Sequence, residues 1–279
     1  MDVANIIIIT ILVLILAWVI SYYFLTTNII FDQILKAIER SSSGTPDKTN
    51  SIKNKDFNEN STANFMLSVW FYIDDWGNQL SKEKNILFLG NTNTITTHPD
   101  LKSMQNTSLS KPVCNVANND LINYKNLSVS LDDYQNILNI DIETLPNKSN
   151  DQSGCFTRYA IKNIPIQKWN CLIISVDTKT MDIYLDGKLR NSFILRGPYK
   201  SELDNAKKNI YLGAQSTENV GFEGYITRVR YEPNSINPKE AYNIYKEGIN
   251  ASLAKSLFNK YSLKVSFLEY NKERGTFTI

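Results

Sequence analysis

Histidine and cysteine are almost missing from this chain of 279 residues, which holds one histidine, His98, and three cysteines, Cys114, Cys155 and Cys171. No two cysteines stand at C-x-x-C spacing, so neither a zinc site nor a haem attachment can be assembled from them. An odd, sparse count fits reduced thiols facing a cytosolic compartment, and a single Cys114–Cys155 bridge is the alternative. An excess of one charge is missing too. The 30 Lys and Arg stand against 28 Asp and Glu, a formal net charge of +2, and the lysines are scattered among acids. That pattern has no basic stripe to follow a phosphate backbone, so nucleic acid is not an expected partner. Length leaves room for one membrane segment and one domain of ordinary size, and excludes a second large domain. Asn-x-Ser/Thr sequons occur at Asn60, Asn106, Asn126, Asn147 and Asn250, but a chain this rich in Asn, Ser and Thr makes them by chance.

What the chain does have is a long apolar run. Between Val3 and Phe31 there is no charged side chain, and Ile6 to Leu25 is nearly unbroken Ile, Leu, Val and aromatics. About 20 helical residues cross a ~30 Å hydrocarbon layer, so 1–27 is expected to be an uncleaved transmembrane anchor. Trp18, Tyr22 and Tyr23 stand where an aromatic belt would sit. A cleaved signal peptide would need a basic start and a small-x-small site, whereas Asp2 occupies the first and the second is absent. Lys36 and Arg40 follow the run and no basic residue precedes it, which places the large domain on the cytosolic side.

Ile30, Phe31, Ile34, Leu35 and Ile38 recur at helical spacing after a candidate N-cap, Asn28, so 28–40 reads as an amphipathic helix on a membrane or partner surface, or equally as a helical extension of the span. Residues 41–63 are polar and Ser/Thr/Asn/Lys-rich, with Gly44 and Pro46, and read as a linker. From Asn64 the pattern becomes short β-type runs. FMLSVWFYI is apolar on both parities, as in a central strand covered on both faces. NILFLG, NLSVSLD, NILNIDIET, CLIISVD, MDIYL, KLRNSFIL, IYLG and GFEGYITRVRYE follow. In the last of these Tyr225, Thr227, Val229 and Tyr231 are expected on one side, with Arg228 and Arg230 on the other. Asp186-Gly187 supplies a two-residue hairpin turn. Pro238 opens a short helix that ends at Gly248; ASLAKSLFNKYS is a second candidate helix and Leu263 to Leu268 a last strand. The expected fold is all-β, an antiparallel jelly-roll sandwich over 64–279 with short C-terminal helices, preceded by the transmembrane helix.

The residues Trp70, Trp169, Tyr184, Asp186, Gly187, Gly213, Phe222, Gly224 and Gly248 carry a resemblance. A Trp opening a strand, a Y-x-D-G hairpin and an F-x-G strand leading to a short helix that ends in Gly resemble the laminin-G-like, concanavalin-A-like jelly-roll family. The anchor, the polar linker, NLSVSLDDYQNILNIDIET and NIPIQKW together resemble membrane-anchored sandwich proteins of nucleocytoplasmic large DNA viruses. That narrower resemblance implies a minor virion component between capsid and inner membrane, with capsid proteins as partners.

Hydrolases of the concanavalin-A-like class use paired carboxylates on one strand, in an E-x-D-x-E or E-x-D-x-x-E pattern. The nearest approach is Glu202-Leu-Asp204, which lacks the third acid. His98 has no nucleophile pairing, and no enzyme activity is expected. The resemblance also implies calcium on loop carboxylates, for which Asp74 with Asp75, or Asp132 with Asp133, are the candidates; otherwise no cofactor is expected. Trp76 beside Asp74 and Asp75 is a candidate for stacking on a sugar, with packing at the sandwich edge as its alternative. The insert at 91–121 is longer than a sandwich turn needs. Two functions follow: a non-catalytic, membrane-anchored structural or binding protein making protein contacts, and a membrane-displayed lectin that binds glycan.

Overall fold

The computed structural model describes residues 29–38, 51–53, 63–90, 126–145, 155–200, 209–215, 220–249, 264–269 and 272–278. The expected span at 1–27, the insert at 91–121, His98, Cys114, Glu202, Asp204 and the second candidate helix lie outside these residues. Among the described residues no helix is long and apolar enough to cross a membrane.

Residues Ile29–Tyr242 make one compact unit. Its strands are β1 (Ile29–Phe31), β2 (Leu35–Lys36), β3 (Ser51–Ile52), β4 (Phe65–Asp75), β5 (Lys84–Gly90), β6 (Leu127–Leu131) and β7 (Ile137–Thr144). They continue as β8 (Cys155–Lys162), β9 (Trp169–Asp177), β10 (Thr180–Leu185), β11 (Lys188–Ile194), β12 (Asn209–Leu212) and β13 (Glu223–Glu232). A seven-stranded sheet runs β1-β13-β4-β9-β10-β11, with β2 also on β13, and a six-stranded sheet runs β3-β12-β5-β6-β7-β8. Every pairing in both sheets is antiparallel. The architecture is an all-β antiparallel sandwich.

Period-two alternation builds the core. Phe65, Leu67, Val69, Phe71 and Ile73 of β4 meet Leu172, Ile174 and Val176 of β9 and, from the other sheet, Leu127, Val129, Leu131, Leu138, Ile140 and Ile142. Each such side chain, fully buried, stabilises the fold by roughly 1.5–3 kcal/mol. Met66 and Trp70, on the opposite parity of β4, are buried as well, as a strand apolar on both parities requires. Asp186 (φ 52°) and Gly187 (φ 72°) join β10 to β11 in the left-handed region that a primed two-residue turn needs. Helix α1 (Pro238–Glu247) opens with a reciprocal capping box. Asn237 Oδ1 accepts from the Glu240 N–H at 3.0 Å, and Glu240 Oε2 accepts from the Asn237 N–H at 2.8 Å.

Four expectations are corrected. The segment expected as an amphipathic helix over 28–40 supplies β1 and β2 instead, in its described residues. Ile29 and Phe31 pair with Arg230 and Val229, and Leu35 and Lys36 with Ile226 and Tyr225. Edge pairing and burial of Phe31 and Leu35 in the core outweigh a helical period that a short apolar run shares with a strand. The expected linker contains β3, whose Ile52 pairs with Ile210 and enters the core. The sandwich therefore starts near residue 29, not 64. Nor does it run to 279 among the described residues, where β14 (Lys264–Glu269) and β15 (Lys272–Thr278) pair with each other in a separate two-stranded sheet.

Strand β13 breaks the expected alternation. Arg228 adopts φ 47° and the register slips between Thr227 and Arg230, a β-bulge that puts Ile226, Val229 and Tyr231 in the core. Arg228 is buried there and bonds Asp32 at 3.3 Å. Gly224 on the same strand has φ 153°, and a Cβ on it would lie 1.9 Å from the Tyr72 carbonyl oxygen. Only glycine allows that approach of β13 to β4. Cys155 is disulfide-bonded, so the bridged alternative replaces the reduced one at this residue; Cys171 is buried in β9.

Candidate functional site

The end of the sandwich at which β4 stops and β5 starts, here the upper end, gathers four connections: 76–83, 132–136, 163–168 and the Asp186-Gly187 tip. Hydrogen bonds lace them together. Lys84 Nζ donates to the carbonyls of Asp132 (3.3 Å) and Asp133 (3.2 Å), joining the first connection to the second. Asn136 joins the second to the third, donating from Nδ2 to the Ile164 carbonyl at 2.8 Å and accepting at Oδ1 from the Ile164 N–H at 2.9 Å. Lys168 joins the third to the hairpin tip through Asp186 Oδ2 at 2.8 Å, and Asp186 Oδ1 accepts from the Cys171 N–H at 3.0 Å. This braced end exposes one large apolar side chain per connection: Leu80 (52%), Tyr134 (65%), Ile166 (48%) and, beside the tip, Leu189 (51%). Isolated exposed apolar residues need no explanation; here four are carried by one braced end. Sequence reasoning passed over these four, because nothing local says that loops far apart in the chain share one end.

Asp74, Asp75 and Trp76 stand at the start of that end. The two carboxylates are exposed, and as neighbours on a strand they point to opposite faces. Asp75 Oδ1 accepts from the Gly77 N–H at 2.9 Å, a turn-forming bond. The Trp76 ring is half-buried, packs on the core, and carries the Lys84 ammonium 5.4 Å from its centroid. The ring face that a sugar would stack on is thus engaged on the side of Lys84.

The second calcium candidate, Asp132 with Asp133, does not fit a metal ion. The two backbone carbonyls that could ligate it already hold the buried Lys84 ammonium, so a second positive charge would be repelled. Asp132 Oδ1 is occupied by the N–H groups of Tyr134 (3.0 Å) and Gln135 (2.9 Å). Burial pushes the Asp132 carboxyl up, but the backbone bonds from Gln135 and Tyr134, together with side-chain bonds from Asp133 and Asn139, outweigh it and hold the group below its usual value. Burial pushes Lys84 down, and Asp133 and Asp132 only partly oppose it. Among the described residues no cluster of three or more His, Cys, Asp or Glu could hold a metal ion.

The paired carboxylates lie elsewhere, on the outer face of the six-stranded sheet. Asn139, Asp141 and Glu143 alternate with core residues along β7 and share that face, an N-x-D-x-E pattern in which the first acid of E-x-D-x-E is an amide. Reading NILNIDIET at strand period would have found it. Asp141 is held in a bidentate pair by Arg158 (2.7 and 2.6 Å), whose Nη2 also reaches Glu83 at 2.9 Å. Glu143 is held by Lys200 Nζ at 2.9 Å and Asn126 Nδ2 at 2.5 Å. Arg158, Asp141 and Glu143 are all buried. Burial pushes the Arg158 guanidinium down, and Asp141 and Glu83 outweigh that and raise it. Asn126, a sequon residue, is buried here and cannot accept a glycan in the folded domain.

No curated protein matches the chain. Among solved structures it is similar to the binding domain of Paraclostridial Mosquitocidal Protein 1, at 13% identity, TM-score 0.43, covering 78% of this chain and 46% of that one. It is similar to the heptameric SAP-like pentraxin from Limulus polyphemus at 8% identity, TM-score 0.43, over 80% and 86%. The Trypanosoma rangeli sialidase matches at 11% identity, TM-score 0.41, over 68% and 24%. The chain spans about half the length of the mosquitocidal binding domain, 46% of it, and likenesses of this degree carry no functional argument. One family model matches, at residues 123–241: Laminin_G_3, the concanavalin A-like lectin/glucanases superfamily.

Proposed function

We propose that this chain is a non-catalytic binding module, held at a membrane by its apolar run at 1–27, and a structural component of a large assembly such as a virus particle. Its upper end contacts another protein of that assembly. The observation that supports this reading is the exposure of Leu80, Tyr134, Ile166 and Leu189 on four connections that hydrogen bonds hold in place at one end. The carboxylates Asp141 and Glu143 support the non-catalytic part, because each is buried against a cation and is denied the water or sugar it would act on. A module held at a membrane meets an adjacent layer at high effective concentration, on the order of millimolar.

Crosslinking mass spectrometry on the native assembly tests this, beside a glycan array on the full chain with and without calcium. Crosslinks from Lys82, exposed on the first upper connection, to a shell protein are expected, with no specific glycan. Specific sugar binding that is lost in Trp76→Ala, together with no crosslinks, would sink the proposal and install the lectin.

A further inference from the structure

We infer that the outer face of the seven-stranded sheet carries, at its upper margin, a docking strip for a proline-rich segment of another protein in the polyproline II conformation. The strip is separate from the four exposed tips invoked above, and the inference does not rest on that reading. It is a row of three aromatic rings. Tyr225 on β13 pairs with Tyr72 on β4, and Tyr72 pairs with Trp169 on β9, so register puts the three side chains side by side on one face. Their strand neighbours Phe71, Ile73 and Ile226 point into the core, which makes that face the outer one. The ring centroids are 6.3 Å apart from Tyr225 to Tyr72 and 5.7 Å apart from Tyr72 to Trp169. All three residues are half-buried, whereas the next row on the same face, Thr227, Trp70 and Cys171, is buried. The rings are thus the open part of this end of the face.

Dimensions and charge select the occupant. The row covers two strand spacings, ~9.6 Å, and one turn of a polyproline II helix, three residues at ~3.1 Å each, rises ~9.3 Å. A segment laid across the strands therefore sets residues i and i+3 over Tyr225 and Trp169, with Tyr72 between them. Its prolines offer flat apolar rings to the aromatic faces. Its carbonyls, which make no internal hydrogen bonds, can accept from the tyrosine hydroxyls and the indole N–H. The interplanar angles of 52° and 55° corrugate the strip, whereas a sugar chain lying along the row would need the rings coplanar. Acids border it. Asp74, exposed, lies two residues beyond Tyr72 on the same face, and exposed Asp75 is the register partner of Glu223. Two lysines are near as well: Lys36 ends the row on β2 as the register partner of Tyr225, and Lys168 is bonded to Asp186 at 2.8 Å. With Lys168 taken up by Asp186, three carboxylates stand against Lys36, and the margin is acidic. Phosphates of nucleic acid or anionic lipid are repelled there, and a basic residue flanking the prolines is favoured.

The test uses the full chain in detergent and fluorescence anisotropy of a labelled peptide of ten prolines followed by two arginines. Control peptides replace the prolines by a glycine-serine repeat, or the arginines by glutamates. The proline-arginine peptide is expected to bind and the glycine-serine peptide not to, and the glutamate form should bind about threefold more weakly at low salt. Trp169→Ala and Tyr72→Ala should each lower the affinity at least about thirtyfold. Ile194→Ser, at an exposed apolar residue of β11, should leave it unchanged. Where circular dichroism shows that loss of a ring unfolds the sandwich, Tyr72→Phe and Asp74→Asn decide. The first keeps the ring and should weaken binding about threefold; the second, at an exposed position, should erase the preference for arginine over glutamate. No binding of the proline-arginine peptide, equal binding of the glycine-serine peptide, or full affinity in a folded Tyr72→Ala variant would overturn the inference. Unchanged binding in both Tyr72→Phe and Asp74→Asn would do so too, as would binding of a β-linked glucose hexasaccharide, lost in the same variants, without binding of the peptide. The shell contact is read separately, by the crosslinks from Lys82, so either proposal can fail alone.

Discussion

On the outer face of the six-stranded sheet, Arg158, Asp141 and Glu143 are buried and each is held by oppositely charged partners. At the upper end, Lys162, Lys188 and Arg190 are exposed to solvent. The same residue types thus have two different uses. A buried charge has lost its hydration and persists only through its partners, so its removal is a stability event. An exposed charge keeps its hydration, contributes little to folding, and remains available to a ligand.

Replacing Arg158 by Met should have the largest effect, because it strips Asp141 of its bidentate partner in a buried site. A loss of about 3–5 kcal/mol is expected in urea unfolding, and adding Asp141→Asn should recover part of it. If the single variant lost less than a kilocalorie, the ion pair would not be buried as described. Lys200→Met comes next. Its side chain is 18% exposed, and Asn126 still bonds Glu143, so the cost should be about 1–2 kcal/mol by the same measurement.

Asp132→Asn sharpens the comparison through pH. Because the folded carboxyl is held below its usual value, its stabilisation is whole above the unfolded value near 3.8 and disappears as pH falls through the folded one. The variant should cost about 1 kcal/mol at neutral pH and progressively less as pH falls through the folded value. Parallel unfolding curves for both proteins across that range would refute the capping role. The smallest effect belongs to Lys162→Gln and Lys188→Gln, which should each move stability by less than about 0.5 kcal/mol by the same urea unfolding.

The strands of the sandwich were legible wherever one element carried its own signal. β4 with two apolar faces, the alternation of β10, and Asp186-Gly187 with its two positive φ values are local facts of chemistry. β1, β2 and β3 were not legible, because runs of two or three residues have no period of their own and become strands only by pairing with β13 and β12. The site was less visible still. Asp74, Asp75 and Trp76 mark the upper end, but Tyr134, Ile166 and Leu189 join them only when four connections are brought side by side. Asp141 and Glu143 read as ordinary strand polar residues until Arg158 and Lys200 are seen to hold them.

By itself, then, the sequence determined an antiparallel β-sandwich built from period-two runs and turn residues, together with a long apolar segment at 1–27, because side-chain alternation and turn stereochemistry act over a few residues. Tertiary structure alone decided that the sandwich starts near Ile29, that β13 bulges at Arg228, that Lys84 fills the carbonyl pair of Asp132 and Asp133, and that the carboxylates of β7 are locked. Each of these depends on groups separated by tens of residues meeting in a medium of low dielectric, where pairing and burial outweigh local preference.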